Sequence, residues 1–63
     1  MNRAEAGKLA QQIRLDDPQI RIVGFSIYGN TTDAVECVDT RTGYPFIIRG
    51  WDDWNERKRA ADQ

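Results

Sequence analysis

Few side chains in this sequence have the chemistry for catalysis. Cys37 is the only cysteine, and the chain contains no histidine. A reactive thiolate needs a neighbouring base, cation or helix N-terminus to lower its pKa. Cys37 instead falls on the apolar positions of an alternating stretch, which predicts a buried core residue. A single cysteine excludes an internal disulfide and a cysteine-rich zinc site. The lack of histidine removes the commonest metal ligand and the commonest general base. Two acid pairs, Asp16-Asp17 and Asp52-Asp53, have the oxygen chemistry for a hard cation such as magnesium. Each pair lies at a helix boundary, where carboxylates are favoured, and neighbouring helical residues point apart. Glycosidase-type acid catalysis needs two carboxylates held across a cleft, and a chain of 63 residues leaves little room for one. The sequence therefore predicts no catalytic residue, no metal and no cofactor, and a protein that is not an enzyme.

Aromatic and basic residues allow a second kind of chemistry. Trp51 and Trp54 are one helical turn apart. Tryptophans beside cations can stack nucleic-acid bases, but a small core also needs large apolar groups, and the pair is read as core, with Trp51 the more exposed of the two. Arg57-Lys58-Arg59 is the one local run of cations. At the end of a helix such a run complements the dipole. Together with Arg41 or Arg49 it is also the alternative surface for nucleic-acid phosphates. Nine basic side chains stand against ten acidic ones, so the chain has no basic excess for general phosphate binding.

These residues must be held by a short series of elements. Ala6, Leu9, Ala10 and Ile13 recur at helical spacing and predict an amphipathic helix from about Arg3 to Leu15. Asn2 caps it and Glu5 completes a capping-box pattern, while Pro18 ends it. From Gln19 onward the period changes to alternation. Strands are expected over Ile20 to Tyr28, Thr32 to Asp39 and Tyr44 to Arg49, with turns at Gly29-Asn30 and Thr40 to Gly43. Pro45 suits an edge strand. A second helix is expected from Trp51 or Asp52 to Ala61, with its acids early, its cations late, and Asp53 and Arg57 at ion-pair spacing. Trp51, Trp54 and Ala61 are expected to face the core together.

Alternation also predicts which faces meet, because a one-residue slip inverts every side chain. Phe25 is placed opposite Val35, Val23 opposite Cys37, Cys37 opposite Phe46, and Val35 opposite Ile48. Val23, Phe25, Ile27, Val35, Cys37, Phe46 and Ile48 then form the core face. Ile22, Tyr28, Ala34, Val38 and Ile47 fall on the opposite face, with Glu36 and Arg49 among them.

The predicted fold is α+β, in the order α-β-β-β-α: a three-stranded antiparallel meander with two helices packed on one face. Length confines it to one small domain over residues 1–63. The order is similar to that of double-stranded-RNA-binding domains and of small toxin ribonucleases, a likeness of topology across the whole chain. The first family holds phosphates with lysines at the start of its second helix, where this chain has Asp52 and Asp53. The second acts through a histidine, which is absent here. What the resemblance implies is thus the fold and not those activities. Arg3 and Glu5 interrupt the N-terminus, and no apolar stretch reaches the roughly 18 residues of a membrane span, so a cytoplasmic protein with no membrane partner is expected. The expected function is a small protein-protein interaction module, an accessory, adaptor or inhibitor protein. Its partner, or a second copy in a homodimer, would bind the open sheet face through Ile22, Tyr28, Val38, Ile47 and Arg49. The alternative is a nucleic-acid-binding domain using Arg57, Lys58, Arg59 and Arg41.

Overall fold

In a computed structural model the described residues are 1–61. Helix α1 spans Arg3–Asp16, and its first turn is closed by the Glu5 backbone N–H donating to Asn2 Oδ1 at 2.8 Å. Ala6, Leu9, Ala10 and Ile13 are the residues it buries, so one apolar stripe faces the sheet. Asp17 leaves the helix in an extended conformation because Pro18 follows it. Its side chain then accepts the Gln19 N–H at 3.1 Å, starting the turn into the sheet.

Strands β1 (Ile20–Tyr28), β2 (Thr31–Asp39) and β3 (Tyr44–Ile48) form an antiparallel meander in the order β1-β2-β3. Gly29 and Gly43 adopt φ of 62° and 77°, which lets the two hairpins close without strain. The β2–β3 register is the expected one, with Val35 opposite Ile48 and Cys37 opposite Phe46. The β1–β2 register agrees only at Phe25 opposite Val35. There Cys37 faces Ile22, and Val23 is an extra residue between Ile22 and Gly24.

This β-bulge corrects two assignments made by alternation. Ile22 turns inward and packs against the core, and Val23 turns outward and is 55% exposed. The physical reason is that a bulged strand opposes two residues to one, so side-chain parity inverts across it. A second irregularity inserts Asp33 into β2, pairs Ile27 with Thr32, and leaves Thr32 buried. Phe25 and Ile27 keep the inner parity but remain well exposed on the edge strand.

Both helices cover the same face. Leu9, Ala10 and Ile13 of α1 meet Ile20, Val35, Cys37 and Ile48 of the sheet in one cluster, which Trp54 of α2 (Trp51–Ala61) completes. Met1 extends the sheet locally, exchanging backbone hydrogen bonds with Thr32 at 3.0 and 2.8 Å. In α2 only Trp54 is buried; Trp51 is 38% exposed and Ala61 also lies outside the core. The expected Asp53–Arg57 pair does not form. Asp53 instead accepts the Arg49 backbone N–H at 2.9 Å, securing the chain where it enters the helix, and Arg57 stacks 3.7 Å above the Phe46 ring. Among the described residues, no helix is long and apolar enough to cross a membrane.

Candidate interaction surface

With both helices on the inner face, the outer face of the sheet is left without a covering layer. Its central row is Gly24, Glu36 and Ile47, paired across the three strands. The adjoining row is Arg21, Val38 and Pro45. Val23 projects from the bulge beside them, so the bulge exchanges one apolar residue for another: Ile22 leaves this face and Val23 joins it. Ile47 is 44% exposed and Val38 is half-buried, while Ala34 is fully buried and offers no contact surface. Tyr28, 83% exposed, ends β1, the exposed Arg49 follows β3, and the two bound the patch.

Glu36 gives this face its polarity. An added β-carbon at Gly24 would stand 3.4 Å from Glu36 Oε1, so the carboxylate leans across the glycine toward β1. No ion pair among the described residues engages it. A half-buried carboxylate among Val23, Val38 and Ile47 favours a contact that brings a hydrogen-bond donor within an apolar surround.

The other chemical candidates are occupied structurally. Cys37 is 1% exposed, and burial pushes its thiol up to about 11 despite the nearby Arg57. At neutral pH it is protonated and packs as an apolar side chain. Cys37→Ala is accordingly expected to cost about 1–3 kcal/mol as a small cavity. Native Cys37 should also react with a thiol reagent only as fast as the protein opens, and rapid labelling of the folded chain would disprove its burial.

A cleft of about 630 Å³ opens between the C-terminal ends of α1 and α2, the start of β1 and the β2–β3 turn, lined by Asp16, Asp17, Asp39, Arg41, Arg57 and Lys58 among others. Its carboxylates are fastened from within. Asp16 accepts from the Trp54 indole N–H at 2.8 Å, from Lys58 at 2.9 Å and from Gln12 at 2.8 Å. The indole bond first, then Lys58 and Gln12, lower its pKa from 3.8 to about 2. Arg41 spans Asp17 at 2.6 Å and Asp39 at 2.9 Å, which lowers the Asp39 pKa and raises that of the guanidinium. These contacts tie the α1–β1 turn to the β2–β3 turn and α1 to α2. The described residues contain no group of three His, Cys, Asp or Glu side chains placed to hold a metal ion.

The cations considered for nucleic-acid binding are consequently divided among separate tasks. Arg41 and Lys58 are in ion pairs, Arg57 lies on Phe46, and Arg59 is exposed. Carboxylates alternate with them along the cleft, so no continuous positive surface results. Alternation along the sequence could not place Val23 on the open face. The weak signal was Gly24 inside a strand, a common mark of a bulge. No protein-family model, curated protein or solved structure matches the chain.

Proposed function

We propose that the protein is a small cytoplasmic protein-protein interaction module whose binding surface is the outer face of the sheet. The observation that carries this reading is the apolar group Val23, Val38 and Ile47 gathered around Glu36 on the face that neither helix covers. Apolar surface rimmed by charge is the composition of a docking site, and Arg21 and Arg49 supply that rim. The free thiol of Cys37 fits a reducing compartment. The buried thiol and the closed ion pairs of the cleft favour binding over catalysis.

The test compares wild type with Ile47→Glu, each tagged and used to capture partners from native lysate with and without nuclease. Glu beside Glu36 adds like charge on the face without entering the core. Capture of a defined protein by wild type, nuclease-resistant and weakened about tenfold or more by Ile47→Glu, is expected. Equal capture by both proteins, at equal thermal stability, would reject this face. Capture abolished by nuclease would instead favour nucleic acid.

A further inference from the structure

Strand β1 lies at the edge of the sheet, with β2 on one side and no strand among the described residues on the other. Edge strands normally carry charges or proline that discourage pairing with another chain. The opposite edge has such a residue in Pro45 of β3. Residues 22–32, by contrast, contain no charged side chain. Four of the exposed large apolar residues, Val23, Phe25, Ile27 and Tyr28, belong to this uncharged run at 55%, 41%, 63% and 83%.

We propose that the free edge of β1 pairs antiparallel with β1 of a second copy, about a two-fold axis at Ser26, so that one sheet continues through both chains. The register follows from the bulge. Beyond Val23 the β1 side is regular, because the irregularity farther along is the extra Asp33 of β2. Gly24, Ser26 and Tyr28 therefore share the outer face, and Phe25 and Ile27 the inner one. Pairing about Ser26 sets Phe25 opposite Ile27 and Gly24 opposite Tyr28, each on its own face. An axis at Phe25 would oppose the outward Val23 to the inward Ile27, and an axis at Gly24 would oppose Val23 to the inward Phe25. Of these three axes the one at Ser26 alone keeps faces matched, and an axis at Ile27 would pair only Ser26 with Tyr28 before the strand ends, so Ser26 gives the longest matched register.

Side-chain complementarity selects a second copy as the occupant. On the outer face each Tyr28 would cross the partner's Gly24, a cover for a glycine that aromatic residues commonly provide. The phenol would then approach the Glu36 carboxylate that leans over that glycine. A free donor at one end of the segment thus meets a free acceptor at the other, and two-fold symmetry makes the match twice. On the inner face a groove of about 350 Å³ runs beside Phe25 and Ile27, walled by Ala6, Gly7 and Thr32 with Arg3 at its rim. Its small side chains leave space for the apolar residues of the other copy, and an added β-carbon at Gly7 meets no atom within 4 Å. No like charges face each other along the paired segment. This inference shares Tyr28 and Glu36 with the uncovered face proposed above but stands on the strand edge, and Ser26→Lys, outside the Val23, Val38 and Ile47 group, separates the two.

Sedimentation velocity from low micromolar to millimolar concentration tests it, with hydrogen exchange at the two ends of the range. A monomer–dimer equilibrium is expected, with protection of the Gly24–Tyr28 amides rising as dimer forms. Ser26→Lys sets two ammonium groups across the axis and should raise the dissociation constant about tenfold or more, with an unchanged circular dichroism spectrum. Tyr28→Phe, which removes the donor alone, should raise it several-fold, and Ile47→Glu, which leaves the β1 edge in place, should change it less than Ser26→Lys does. A chain that stays monomeric throughout overturns the proposal. So does a dimer that survives Ser26→Lys but is lost in Ile47→Glu, or open-ended aggregation in place of a closed dimer.

Discussion

Trp54→Ala is expected to abolish cooperative unfolding, leaving no resolved thermal transition. Trp54 is 2% exposed and closes the core cluster between α1 and the sheet. Truncating a buried tryptophan costs about 3–5 kcal/mol. A core of this size rarely supplies more than about 3–5 kcal/mol in total, so the loss matches the whole margin. Trp54→Phe separates packing from polarity, since it keeps a large ring and removes the indole N–H that Asp16 accepts. Asp16 has its pKa depressed in the folded state, from 3.8 to about 2. Its stabilising contribution is therefore complete above about pH 4 and is lost as pH falls through 2. Without the indole, the largest cause of that depression, the variant should fold less stably at neutral pH and lose less between pH 4 and 2. Urea melts across that range measure both effects. Parallel stability curves for wild type and Trp54→Phe would show that the bond does not hold Asp16, and a wild-type melting temperature for Trp54→Ala would place the residue on the surface.

The second large effect is a contrast between neighbours. Ile22→Asp should lower stability by at least about 2 kcal/mol, because it puts a carboxylate against the core with no partner. Ile22 faces Cys37 and packs on the buried cluster. Val23→Asp, one residue later, should cost under about 1 kcal/mol, a change of strand propensity at an exposed site. Plain alternation expects the opposite ranking, since it turns Val23 inward and Ile22 outward. Chemical denaturation of the two variants decides it. A more damaging Val23→Asp would mean that β1 runs without its bulge.

Local signals in the sequence carried most of the architecture. Helical spacing of Ala6, Leu9, Ala10 and Ile13, the Asn2 cap and Pro18 determine α1, because each acts within one or two turns of chain. Gly29 and Gly43 determine where the chain reverses, since only glycine takes positive φ there without strain. From Val35 onward the faces of β2 and β3 follow from unbroken alternation, and with them the pairing of Cys37 with Phe46 and Val35 with Ile48. Tertiary structure decided the rest. Counting alternate residues presumes one residue per step in each strand, and the extra residue at Val23 violates that where Ile20 and Ile22 both gain burial in the core. Trp51 and Trp54 are one helical turn apart, but only Trp54 is buried, at 2% exposed against 38%. Asp16 joins Trp54 and Lys58 across separations of 38 and 42 residues, and Arg41 reaches Asp17 across 24. Such partners are chosen by where packing brings chain ends together, and neighbouring residues in the sequence carry no trace of that choice.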